Sequence, residues 1–329
     1  MKKFWMVLLA LSFITLVACS SNEDKDTDTS NESADEKTEE VEKEESTDTE
    51  NEENSDSSKK PEYDESKATT NIMKKEADGL LSTIEMKHAD DVLLEQNQVT
   101  EGKYSTLGVK DKKEAQEKIK EFGDEEKYKD QEGVEYSVEF NDDTFIETFK
   151  VDYTVADLSV VSSLPDSGIE SQFVSYDLSV DNFKKQGYYL EGEKSTEVFL
   201  LEQEGYIYEV SVLQDGNNKI LKQTTYNEQS YESLGLADKK AAEEQFKDIA
   251  KNYEELNKLD GVNFDMKFED DKFTVEGVMD YEKVKELDKV LQLMGIEQVD
   301  ESAKEESRNY TEIAMALLGN GLEHVETKK

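Results

Sequence analysis

The chain offers few side chains for covalent or metal chemistry. Cys19 is its only cysteine. It follows Ala18 at the end of an apolar run from Phe4 to Val17, behind Lys2 and Lys3. Its thiol is the one uncharged side chain here that can become a good sulfur nucleophile. His88 and His324 are the only histidines, so a zinc helix of the HExxH type and any Cys/His metal cluster are excluded. His88 falls at the end of an expected strand and His324 in an expected C-terminal tail, and neither reads as a ligand. There is no GxSxG elbow and no GxxxxGK[ST] loop. Carboxylates abound, at 80 Asp and Glu against 39 Lys and Arg. A pair of them would serve a glycosidase, but among so many acids a pair specifies nothing. Asp142-Asp143 and Asp270-Asp271 sit in equivalent turns, where calcium is conceivable. Asn and Asp favour such turns on their own account.

A short positive segment, an apolar stretch of this length and a small residue before the cut describe a secretory signal rather than a spanning helix. The string Leu16-Val17-Ala18-Cys19 resembles the lipobox of bacterial lipoproteins. That resemblance implies diacylglyceryl transfer to Cys19 and cleavage between Ala18 and Cys19. Two acyl chains give a stable anchor where one gives marginal binding.

Net charge is −41 and the apolar fraction 35%, too little apolar surface to fold a uniform chain of this length. The deficit concentrates in Ser20–Lys60, with 17 acidic residues and 5 lysines. That stretch is expected to be a disordered acidic tether, about 40 Å long as a flexible coil and longer when its charges repel. Of the −41, −12 falls on this stretch and +2 on the leader, which leaves −31 for residues 61–329. A nucleic-acid partner is excluded by that sign. Arg308 is the only arginine, so an arginine cluster for phosphate is excluded too.

The remaining residues repeat. Leu107-Gly108-Val109-Lys110-Asp111-Lys112-Lys113 recurs as Leu234-Gly235-Leu236-Ala237-Asp238-Lys239-Lys240. Gly133-Val134 recurs as Gly261-Val262, and Val151-Asp152-Tyr153 as Met279-Asp280-Tyr281. A repeat this long is a whole domain. In each copy, alternation predicts a hairpin (Leu80–His88 with Val92–Val99; Tyr206–Leu213 with Lys219–Thr225). A helix follows, capped by Asp111 or Asp238. A second hairpin then turns at Asn141-Asp142-Asp143 or Glu269-Asp270-Asp271. Two helices close each copy, the last over Ser179–Gly187 or Asn309–Leu318. The expected fold class is α+β: two tandem two-layer α/β sandwich domains, each ββαββα, with an antiparallel sheet covered by helices on one side. The expected organisation is a signal peptide at 1–18, a tether at 19–70, and domains at 71–196 and 197–329, each able to fold alone. Tyr188, Tyr189, Tyr206 and Tyr208 cluster at the junction, where sheet packing is the favoured reading over an exposed aromatic platform.

These strings resemble the YehR-like lipoproteins, a bacterial envelope family of unknown function. The resemblance covers most of Asp78–Tyr189 and Tyr206–His324; the second copy lacks the Pro165 break. It implies the two-layer fold and the lipid anchor, and it carries over no catalytic residue. The function expected is that of a binding or interaction module, lipid-anchored on the extracytoplasmic face of the cell membrane, in keeping with a Gram-positive cell. It would have no cofactor or metal, would meet the membrane through diacylglyceryl-Cys19, and would engage an envelope protein partner. The rival is a carboxylate-dependent cell-envelope hydrolase.

Overall fold

A computed structural model describes residues 62–77, 79–122, 127–161, 173–296 and 299–329. The expected signal peptide, Cys19 and nearly all of the expected tether lie outside those residues. The first copy contains β1 (Thr69–Ala77), β2 (Leu80–Ala89), β3 (Val92–Lys103), α1 (Lys112–Phe122), β4 (Val134–Phe140) and β5 (Thr144–Asp152). It continues with α2 (Leu158–Val161), β6 (Val174–Ser175), α3 (Tyr176–Lys184) and β7 (Tyr189–Leu190). The second copy contains β8 (Ser195–Gln203), β9 (Tyr206–Gln214), β10 (Ile220–Ser230), α4 (Lys239–Gln245), α5 (Lys247–Leu256) and β11 (Val262–Phe268). It closes with β12 (Lys272–Asp280), α6 (Leu287–Leu293), α7 (Glu301–Glu306), α8 (Tyr310–Gly319) and β13 (Glu323–Lys328). The sheets run β4-β5-β3-β2-β1-β7, with β6 also on β3, and β11-β12-β10-β9-β8-β13. Every pairing is antiparallel. The α+β class and the tandem arrangement hold.

The order ββαββα needs correction: each copy gains a leading strand, β1 or β8, and a closing one, β7 or β13. In β1 only Met73 and Ala77 are buried, and Lys74 and Lys75 blur the alternation because long side chains keep their charged ends in water. The strand starts, Thr69 and Ser195, each precede the expected domain starts by two residues. His324 is likewise not in a tail: it lies in β13, opposite Phe199 of β8. The last helix of the first copy begins earlier than expected, because the Ser175 hydroxyl accepts the Leu178 N–H at 3.1 Å and caps it.

The repeated strings are structural. Gly133 and Gly261 have positive φ (74° and 80°), and their carbonyls accept the Asp152 and Asp280 N–H groups at 2.8 and 2.7 Å. A Cβ on Gly261 would sit 2.7 Å from the Val284 nitrogen, so only glycine lets this strand start dock on the β12 end. Asp111 and Asp238 accept N–H groups of the first helical turns, as expected. The acidic turns are held the same way in both copies. Tyr104 donates its hydroxyl to the Asn141 carbonyl at 2.6 Å, and Tyr231 to that of Glu269 at 2.8 Å.

The cores differ. The second copy has one continuous cluster, running from Phe199 and Val210 through Phe246, Phe264 and Phe273 to Ile313 and Leu317. In the first copy the apolar side chains fall into separate groups, one around Met73, Ile84 and Met86, another around Tyr104, Ala115 and Phe145, with smaller ones beside them.

Candidate functional site

The junction between the copies is sealed rather than open. Tyr189 belongs to the second copy's core, edge-on to Tyr310 at 6.1 Å between ring centres. The Glu191 N–H donates to the Ile72 carbonyl and the Gly192 N–H to that of Gly216, both at 2.8 Å. Tyr188, Tyr189 and Tyr208 are buried, so the junction tyrosines pack instead of forming a platform. Across this junction Lys184 of α3 donates to Glu197 Oε1 on β8 and to Thr327 Oγ1 on β13, both at 3.1 Å. Ser195 donates to Glu197 Oε1 at 2.6 Å, and Thr327 to Oε2 at 2.6 Å. His324 Nε2 lies 2.8 Å from Oε2.

Burial is the largest influence on the Glu197 carboxyl and opposes its charge. The His324 hydrogen bond, the Lys184 ammonium and the two hydroxyl donors outweigh it and bring the carboxyl down to about 2. We assign the His324 proton to Nε2, the atom facing the carboxylate. Nδ1 is then a buried lone pair without a partner, cheaper to leave unmade than an N–H. Side chains of Lys184, Glu197 and His324 are 5%, 1% and 1% exposed. Ser195 also accepts from Gln214 at 2.7 Å, so its oxygen is engaged on both sides. The cluster fastens the copies together and admits no substrate.

His88 is a strand residue, as expected. Its ring stacks on Tyr176 at 3.6 Å, and Nδ1 lies 2.8 Å from the Asp90 carbonyl. The acidic turns are tied by Tyr104 and Tyr231, and among the described residues no group of three potential metal ligands occurs. A small apolar indentation lies beside Phe264, Gly277 and Met294 in the second copy.

The feature that sequence reasoning missed is a polar row crossing the helix-covered face of the first sheet. Its members are opposite one another in successive strands: Glu147 on β5, Thr100 on β3, Ser82 on β2 and Lys75 on β1. Strand spacing makes the row about 14 Å long. Ser82 Oγ lies 3.1 Å from Thr100 Oγ1 and accepts from the Tyr188 hydroxyl at 3.0 Å. Lys75 Nζ donates to the Gln186 carbonyl at 2.9 Å. Tyr136 donates to Glu147 Oε1 at 2.5 Å, and Tyr128 packs against Phe149 and Tyr136 with ring centres 4.7 and 6.2 Å apart. The same row in the second copy reads Val275, Asn227, Tyr208 and Leu201, within its continuous core. Val275 and Tyr208 are buried, whereas Glu147 and Thr100 are half-buried. The signal was available in the repeat: aligning its copies residue by residue puts Glu147 where Val275 stands.

The sequence pattern of DUF1307, described as a protein family of unknown function, matches residues 65–189 and again 195–323. The chain belongs to this family, twice over. Its DUF1307 copies are similar to an uncharacterised lipoprotein of Listeria innocua, 36% identical over 88 residues, 26% of this chain and 56% of the relative. The match thus spans about half of that relative's length. An uncharacterised lipoprotein of Listeria monocytogenes is 27% identical over 125 residues, 37% of this chain and 80% of the relative. Two solved structures are also similar. The Escherichia coli YehR protein has a TM-score of 0.33 at 17% identity, with 38% of this chain and 91% of that one covered. A Streptococcus pneumoniae protein has a TM-score of 0.29 at 14% identity, with 41% and 87% covered. No helix among the described residues is long and apolar enough to cross a membrane.

Proposed function

We propose that this tandem DUF1307 protein is a lipid-anchored extracytoplasmic binding module, tethered through diacylglyceryl-Cys19. The second copy is the rigid support and the polar row of the first copy is the recognition face. The observation that carries this reading is Glu147, a carboxylate at the position where the second copy buries Val275. A charge placed on a helix-covered face weakens a core, so packing alone does not account for it. The lipoprotein relatives and the lipobox string support the anchor.

Binding is favoured over hydrolysis because the polar row holds one carboxylate, Glu147, with Thr100, Ser82 and Lys75, whereas a glycosidase works with a pair. The test is fluorine NMR of fluorotyrosine-labelled mature lipoprotein in detergent, titrated with solubilised cell-envelope extract. Tyr128 and Tyr136 should shift while Tyr208 and Tyr253 stay still, and the extract should be recovered unchanged. No shift at the row, or steady appearance of cleavage products, would contradict the proposal.

A further inference from the structure

We infer that the group recognised at the polar row is an organic ammonium, such as a lysine side chain presented by a partner. The inference rests on the binding reading above and deepens it. Glu147 makes no ion pair among the described residues, whereas Glu95, on the other face of the same sheet, finds Lys87. Its neighbours are aromatic. Tyr136 reaches its carboxylate, Tyr136 lies opposite Phe149 in the β4–β5 ladder, and Tyr128 covers both. A carboxylate with tyrosine and phenylalanine rings among its neighbours offers a desolvated ammonium one opposite charge and electron-rich rings.

An ammonium already borders this ring group, from the neighbouring residue of the chain. Lys127 Nζ lies 4.5 Å from the Tyr128 ring centre and 2.8 Å from its hydroxyl. The wider field agrees, since −31 charges on residues 61–329 draw cations in and turn anions away. A neutral polyol could also donate hydroxyls to Glu147, so the neutral probe below separates charge from hydrogen bonding. In the second copy the arrangement is closed. Phe264 takes the place of Tyr136 and lies against Gly277, where a Cβ would be 2.5 Å from the ring. Tyr253 stacks on Phe264 at 4.9 Å, and Val275 replaces the charge. The ammonium site is therefore a property of the first copy only.

The experiment uses the mature lipoprotein in detergent with three probes: Nα-acetyl-lysine methylamide, its ε-trimethyl form and its neutral ε-acetyl form. Both cationic probes should shift the Tyr128 and Tyr136 fluorine signals, with the neutral probe at least about tenfold weaker. Glu147→Gln should weaken the cationic probes about tenfold, and Glu147→Val should leave no preference for charge; unchanged Tyr208 and Tyr253 signals report intact folding of the second copy. Equal binding of the neutral probe, undiminished binding by Glu147→Val, or silence with all three probes would overturn the ammonium inference. If envelope extract still shifts Tyr128 and Tyr136 in that case, the binding reading survives. If the extract fails as well, both fall.

Discussion

The two DUF1307 copies share a fold, a sheet order and their glycine and aspartate signatures, yet they differ at the centre of one face. The second copy fills that centre with Tyr208, Val275 and the stacked Tyr253 and Phe264. The first copy leaves Ser82, Thr100 and Glu147 there, between apolar groups that no longer meet. On the proposed reading, duplication separates two demands that conflict within one small domain, since a face used for recognition cannot also be a continuous core. The cluster at Glu197 lets the well-packed copy support the other one.

That coupling gives the largest expected effect. Glu197→Ala leaves Lys184 buried without its counter-charge and should destabilise the protein by about 3–5 kcal/mol. Chemical denaturation would show it as a lower midpoint, and a change under about 1 kcal/mol would mean that the copies do not lean on this contact. Acid should act through the same carboxyl. Glu197 is lowered from 4.5 to about 2, so its contribution is complete above its unfolded value. It is lost as pH falls from about 4.5 towards 2, amounting to about 3 kcal/mol. Denaturation midpoints measured across that window should fall, and Glu197→Gln should flatten the slope.

The glycines sharpen the comparison by separating strain from crowding. Gly261→Ala meets backbone atoms as well as a positive φ and should cost about 2 kcal/mol or more. Gly235→Ala has φ 67° with nothing within 4 Å and should cost about 1 kcal/mol. Equal losses in thermal melts would mean that docking of the Gly-Val strand on β12 contributes nothing. Glu147→Val should have the smallest effect on stability, within about 1 kcal/mol and towards stabilisation, because it installs the second copy's residue. A large loss would make Glu147 structural.

Much of this was legible in the chain. Alternation placed β2–β5 and their counterparts, and Asp111 and Asp238 marked helix starts because their side chains cap free N–H groups. The first leading strand was hidden because β1 carries three charged residues among nine, and a half-exposed strand shows little period-two signal. His324 looked like part of a tail because only the pairing of β13 with β8 brings it to Glu197, 127 residues away. The polar row was hidden for a related reason. Its four members lie on four strands and become neighbours only through register.

Hydrogen exchange of the protein, with and without the trimethyl-lysine probe, tests the proposed division of labour most directly. Without the probe, amides of β9, β10 and β12 should exchange most slowly, and those of β3 and β5 around Thr100 and Glu147 faster, as a divided core requires. Adding the probe should slow exchange in β3, β4 and β5 and leave β9–β12 unchanged. Equal protection in both copies before addition, or slowing confined to the second copy afterwards, would contradict it.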